Sequence, residues 1–226
     1  MTHGTSPKLE RRSLLRLTLA GVTAIGVAAC DTPSSSPTAE PSTMPDPSAS
    51  GQQRVLLAYF SRAGENYYNG GRRTLQVGNT EVVAGMIQDA IGCAVYRINA
   101  ADPYSDSYDA TVARNVREQD ADARPEITDP LPSLDQYDTI LLGSPIWNVR
   151  PPMIMSTFTD RYDFSGKTVF PLVTHAVSGL GQAPQVYTAS CRGATFGEGL
   201  AIRGEEAADS IDTVRSWLQR IGLLAR

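Results

Sequence analysis

Arg54-Val55-Leu56-Leu57-Ala58-Tyr59-Phe60-Ser61 is the stretch on which the fold turns. Six apolar residues in a row show neither the 3.6-residue period of a surface helix nor the alternation of a half-exposed strand. A short apolar run that stops at a polar residue is the pattern of a strand covered on both faces. Two later runs repeat it: Thr139-Ile140-Leu141-Leu142-Gly143, and Thr168-Val169-Phe170-Pro171-Leu172-Val173-Thr174, in which Pro171 asks for an irregular strand. Ala94 to Ile98 reads as a further strand, second in chain order, and Gly199 to Ile202 as a short fifth.

Helical patterns fill the gaps. Asn79 is placed to cap a helix in which Val83, Met86, Ile87, Ala90 and Ile91 share a face, and Gly92 ends it. Tyr108 to Asp122 reads as a helix resting on Tyr108, Val112 and Val116. Pro152 to Tyr162 and Ala183 to Cys191 follow, and the last helix carries Ile211, Val214, Leu218 and Ile221 on one side. Strands alternating with helices imply a mostly parallel sheet covered on both faces, with ligands beyond the strands' carboxyl ends.

The polar segments that end the strands sit at that edge. Ser61 follows the first strand, and Gly78-Asn79-Thr80 opens the first helix, where free backbone N–H groups and the dipole favour an anion. An ordinary cap and turn is the alternative for these residues alone. Gly143-Ser144-Pro145-Ile146-Trp147 ends the third strand, and Trp147 offers an aromatic face for a flat ring or, on this segment alone, a core residue. Thr174-His175-Ala176-Val177-Ser178-Gly179-Leu180-Gly181 ends the fourth, with glycines that allow close backbone approach and a histidine that titrates near neutrality. Together these parts describe a site for a molecule anionic at one end and flat at the other, as flavin mononucleotide (FMN) is.

Other functions lack their residues. There is no Gly-x-Ser-x-Gly elbow, and His175 is the one histidine beyond His3, which leaves little for a hydrolytic triad. No cluster of His and Cys suggests a metal. The net charge of −4 argues against nucleic acid, which is held by clustered Lys and Arg.

The landmarks Tyr59-Phe60-Ser61, Gly78-Asn79-Thr80, Pro145-Ile146-Trp147, Thr174-His175 and Ser178-Gly179-Leu180-Gly181 resemble the flavodoxin-like superfamily. The similarity extends to Tyr108-Asp109-Ala110-Thr111-Val112, to Tyr162-Asp163-Phe164-Ser165-Gly166-Lys167-Thr168 and to Gly199-Leu200-Ala201-Ile202-Arg203-Gly204. The resemblance implies an α/β, doubly wound, three-layer fold with a five-stranded parallel sheet of order 2-1-3-4-5 and FMN at its switch point. It implies Ser61, Arg62, Gly78, Asn79 and Thr80 toward the phosphate, and Pro145, Ile146, Trp147, Asn148, His175, Ser178, Gly179 and Gly181 around the ring. It also implies electron transfer with a small-molecule or protein redox partner, or an FMN-dependent oxidoreduction of the NAD(P)H or quinone type. A cofactor-free binding or assembly protein on the same fold is the rival reading.

One departure is the stretch Arg62 to Val77, which separates Ser61 from Gly78-Asn79-Thr80. Within it Gly64-Glu65-Asn66 is a second candidate for the phosphate, and Tyr67 with Tyr68 a candidate lid. The acidic excess, including Glu118, Asp120, Asp122 and Glu126, would disfavour an anionic reduced flavin and attract a basic partner; an ordinary solvated helix edge is the alternative.

The residues before the domain read as an export address. Arg11-Arg12 precedes an apolar stretch from Leu17 to Ala29, closed by Val27-Ala28-Ala29-Cys30. This is the twin-arginine signal pattern with a lipoprotein cleavage site, and the stretch is shorter than the ~20 apolar residues of a spanning helix. The expected organisation is a signal peptide over 1–29, lipidated Cys30 and a Pro/Ser/Thr-rich tether over 30–52, and one domain over 53–226. The mature chain would carry 16 basic and 23 acidic residues, anchored by lipid to the outer face of the cytoplasmic membrane. An uncleaved anchor is the alternative. Cys93 and Cys191, placed before the second and fifth strands at opposite sheet edges, are expected to remain unbridged.

Overall fold

The computed structural model describes residues 54–131 and 133–225; the expected signal peptide, Cys30 and the tether lie outside them. The first run is strand β1 (Val55–Tyr59), buried throughout. A hairpin of β2 (Gly64–Tyr68) and β3 (Gly71–Leu75) follows, then helix α1 (Asn79–Ile91), β4 (Ala94–Arg97), β5 (Asn99–Ala100), α2 (Tyr108–Asp120) and β6 (Ile127–Thr128). The second half holds β7 (Thr139–Pro145), α3 (Met153–Arg161), β8 (Thr168–His175), α4 (Ala183–Ser190), β9 (Thr195–Phe196) and β10 (Leu200–Arg203). A 3-10 helix (Gly204–Asp209) and α5 (Ile211–Arg220) complete the described elements.

The central sheet runs β10-β8-β7-β1-β4, every pairing parallel, with β9 also against β8. With β4 as the second principal strand and β10 as the fifth, this is the expected 2-1-3-4-5 order. Alternate residues of β1 serve opposite cores. Leu56, Ala58 and Phe60 pack with Phe158 of α3 and Tyr187 of α4. Val55, Leu57 and Tyr59 pack with Ile87 of α1 and Trp217 of α5. The long apolar runs are therefore the direct consequence of two covered faces.

Pro171 does not make β8 irregular. The carbonyl of Val169, two residues earlier on the same edge, accepts from Gly197 N at 3.0 Å. Pro171 thus presents its missing donor to strand five, and strand five is broken at that point, between β9 and β10. Cys93 and Cys191 are both free thiols, adjoining β4 and the loop before β9.

Two helices differ from the sequence reading. Asn79 is the first residue inside α1, and Gly78, at φ −69° and ψ 147°, is its N-cap. The capping hydroxyl comes from Ser61, which accepts from Glu81 N at 3.1 Å. α2 stops at Asp120, and its buried face is Thr111, Asn115 and Glu118. Val112 and Val116, expected beneath the helix, are 42% and 41% exposed. The neighbouring elements supply α2 with polar partners, so its valines turn outward.

The stretch Arg62 to Val77 is ordered by the hairpin. Asn69 and Gly70 take φ 46° and 82° between the paired Tyr68 and Gly71, the two positive φ values of a type I′ turn. Glu65 N donates to Asp106 O at 2.8 Å, Tyr108 N to the Glu65 carboxylate at 3.1 Å, and Asn69 N to Glu205 Oε1 at 2.9 Å. The hairpin is fastened to α2 at its base and to the 3-10 helix at its tip.

Candidate functional site

A cavity of about 510 Å³ opens beyond the carboxyl ends of β1, β7 and β8, within the ~300–1,000 Å³ of small-molecule sites. Its walls come from the loops after those strands, from Tyr108, Thr111, Val112, Asn115 and Val116 of α2, and from Asn66 and Tyr67 of the hairpin. Of the residues expected around a ligand, Arg62, Asn79, Pro145, Ile146, Trp147, Asn148 and His175 line it. Ser61, Gly78, Thr80, Ser178, Gly179 and Gly181 do not.

Arg62 and Asn79, the first residue of α1, are both wall residues. The Arg62 guanidinium is held from outside: Nη1 donates to Ser105 O at 2.8 Å and to Asp106 O at 3.3 Å, and Nη2 to Glu65 O. Its Nε–H is buried without a partner. Ser61 and Thr80 lie behind this wall with their hydroxyls already engaged, Ser61 in capping α1 and Thr80 with Thr174 Oγ1 at 2.8 Å. Gly78 fits closely against Ser61 and Arg62. Glu81 N is taken by Ser61 and Val82 N by Gly78 O, so the groups left to a ligand are the Asn79 side-chain amide and the backbone N–H groups of Asn79 and Thr80, beside the fixed charge of Arg62 in the wall. A Cβ at Gly204 would stand 2.5 Å from Asn79 Nδ2, so that the glycine keeps the Asn79 side chain in place.

Trp147 is partly buried against the core and also forms cavity wall. It meets Phe60 at 5.6 Å and 90° and Tyr104 at 5.1 Å and 74°, centroid to centroid, in edge-to-face geometry. Tyr104 is fixed in turn: its hydroxyl donates to Glu118 at 2.8 Å, Arg114 Nε donates to the same carboxylate at 2.6 Å, and the Arg114 guanidinium lies 4.0 Å above the Tyr104 ring. Burial and the adjoining carboxylate push the Tyr104 phenol well above its ordinary pKa.

The turn that carries Trp147 closes with Trp147 N donating to Arg150 O at 2.9 Å. It is tied to α2 through Asn148 Nδ2 to Gln119 Oε1 at 3.0 Å and Gln119 Nε2 to Trp147 O at 3.3 Å.

His175, Ala176 and Val177 form the third wall, after β8. The loop then leaves the cavity. Gly181 at φ +50° packs on the Val149 backbone, and Gln182 N donates to Val149 O at 2.7 Å. Ser178 to Gly181 thus support the Trp147 turn from behind. His175 Nδ1 is buried without a partner. Burial, then Arg203 beside it, lowers its pKa, while Glu205 and Glu206 act the other way.

Among the described residues no Asp or Glu lines the cavity. Glu118 is buried and paired with Arg114 and Tyr104, so it neither faces the expected flavin ring nor belongs to a solvated helix edge. Sequence reasoning missed Asn115 and Gly204 as wall residues. The Asn-Gly pair at 69–70 was the available signal for the hairpin that brings Asn66 and Tyr67 in.

The family model described as flavodoxin matches residues 73–221. A structure from Bacteroides eggerthii designated a flavoprotein is 26% identical, with a TM-score of 0.60 over 74% of this chain and 97% of that one. A second, from Bacteroides uniformis, is 29% identical, with a TM-score of 0.58 over 74% and 98%. A Lactobacillus acidophilus flavoprotein in complex with FMN, 19% identical, shares the fold at a TM-score of 0.50, covering 71% of this chain and 99% of that one. Comparison with curated proteins finds no match. A model match over well more than half the chain, on a 2-1-3-4-5 parallel sheet with its cavity at the strands' carboxyl edge, places this chain in the flavodoxin family.

Proposed function

We propose that the domain binds FMN in this cavity and passes electrons between a reduced donor and a small-molecule or protein acceptor. The observation that carries the reading is a cavity at the carboxyl edge of the parallel sheet that is walled together by Arg62, Asn79 at the start of α1, Trp147 and His175. The donor set fits the group. The phosphate would be held by Arg62, Asn79 and the α1 first turn, and the ring by the Pro145–Asn148 turn and the His175–Val177 backbone.

FMN supplies electron acceptance, singly or as a hydride. The chain's own residues orient and shield. The aromatic trio sets the angle of the Trp147 wall, Gln119 and Asn148 keep its turn from swinging, and the hairpin with Tyr67 limits water at the mouth. The Bacteroides and Lactobacillus flavoproteins support the cofactor assignment by family.

The test is the absorption spectrum of the purified protein, with and without added FMN, before and after dithionite. Flavin bands that bleach on reduction are expected; a colourless protein that ignores added FMN overturns the reading. Arg62→Lys removes the guanidinium fixed in the cavity wall and is expected to weaken FMN binding about tenfold, ~1.4 kcal/mol, as measured by fluorescence titration.

The leader extends the proposal to an exported lipoprotein that crosses the membrane folded with its cofactor. Arg11→Lys with Arg12→Lys should then abolish export of the holoprotein, and unimpaired export would exclude this route.

A further inference from the structure

His175 is placed for a task that none of its bonds explains. It ends β8 with its imidazole in the cavity wall, and Nδ1 is buried with no partner. On the neighbouring strand Arg203 stands in register beside it. From the 3-10 helix come Glu205 and Glu206. Glu205 Oε1 is occupied by Asn69 N at 2.9 Å, Arg203 lies 3.7 Å from the carboxylate, and Oε2 is buried and unmatched. Across the cavity the titratable and charged wall groups are Arg62, Tyr67 and Tyr108, with no carboxylate.

We propose that His175 takes up a proton when the bound flavin is reduced, and that the resulting imidazolium compensates the negative charge of the reduced ring. The inference rests on the FMN reading above.

The balance is as follows. A donor of the reduced-nicotinamide class is oxidised by two electrons and delivers a hydride, leaving the ring with one added proton and one negative charge. A proton from solvent then goes to Nδ1 or Nε2 of His175. Before reduction, burial and Arg203 oppose a charge on this imidazole. A negative charge arriving in a cavity without carboxylates reverses the balance, because opposite charges at close range favour the ionised form. Glu205 and Glu206, which are not among the residues lining the cavity, add to that preference. A site built this way favours two-electron over one-electron traffic.

The chain has two histidines, His3 and His175, so the imidazole NMR signals of the full-length holoprotein are assigned by their loss in His175→Gln. The pKa of His175 is measured in the oxidised protein and again after dithionite, with the flavin bands verified first. A pKa raised by at least one unit on reduction, a tenfold gain in proton affinity, is expected. An unmoved pKa in a protein that is visibly flavin-loaded overturns this inference alone; a colourless protein overturns the FMN reading on which it rests.

A second readout is the reduction potential against pH. In the window between the two pKa values the wild type should take up one proton more per electron pair than His175→Gln. For a two-electron couple that is a tenfold change in equilibrium constant per pH unit, or ~30 mV. Identical pH slopes in the two proteins would count against the proposal.

Discussion

Val149 holds φ +65° in the turn that presents Trp147. A β-branched side chain rarely adopts this region, because its methyl groups crowd its own backbone. The conformation persists because its carbonyl is taken by Gln182 N and its backbone is packed by Gly181, so neighbours over-determine it. Asn148 and Val149 together fill the two left-handed positions of a type I′ turn, where glycine is the preferred second residue. Val149→Gly is therefore expected to stabilise the domain by about 1 kcal/mol, the relief of strain outweighing the greater freedom of the unfolded chain; urea unfolding at unchanged m-value checks it. Asn-Val does not announce such a turn, which is why Trp147 was legible in the sequence while the geometry that aims it was not. Ser61 and Thr80 illustrate the opposite limit: as hydroxyls at a helix start they read as phosphate ligands, yet a side chain's partner depends on what the fold brings next to it, and here that is Glu81 N and Thr174.

Among the elements, the hairpin β2–β3 is what sets this site apart, and its sequence contained the signal, Asn69-Gly70 between two short, mostly polar runs. The runs lack the apolar alternation of an ordinary hairpin because neither face packs on a core; the pair is held by hydrogen bonds and charge instead. Glu65 carries much of that attachment. Its carboxylate sits at the N-terminus of α2 on Tyr108 N, where an acceptor and a negative charge are both favoured. Glu65→Ala should cost about 1 kcal/mol of stability and loosen the wall made by Asn66 and Tyr67. FMN release, followed by recovery of free-flavin fluorescence, is expected to quicken by up to about tenfold, ~1.4 kcal/mol; an unchanged release rate would show that the hairpin does not retain the cofactor. α2 itself was legible as a helix but not in its orientation. Val112 and Val116 read as a core stripe, whereas burial of Asn115 and Glu118 against Gln119, Tyr104 and Arg114 is energetically acceptable once each polar group is paired.

At the scale of the whole molecule the parallel architecture followed from three buried apolar runs and the helices between them, since a strand hydrophobic on both faces needs a layer on each side. The strand order required the family resemblance, because alternation alone leaves several doubly wound orders open. The same layout gives the cofactor a global role. The cavity draws its walls from the loops after three central strands, from α2 and from the hairpin, so a ligand seated there adds contacts across elements that are otherwise joined by a few hydrogen bonds. FMN that binds the folded state and not the unfolded chain stabilises it by mass action, by ~2.7 kcal/mol at a free concentration near 100 times Kd. For a domain of this size about 2–4 °C of Tm accompanies each kcal/mol. FMN at that concentration should therefore raise Tm by roughly 5–10 °C, with the increment growing as the logarithm of concentration. Riboflavin, which lacks the phosphate that Arg62 and the α1 start would hold, should shift Tm less at the same concentration; equal shifts from both would mean that the anionic end of the cavity contributes nothing to binding.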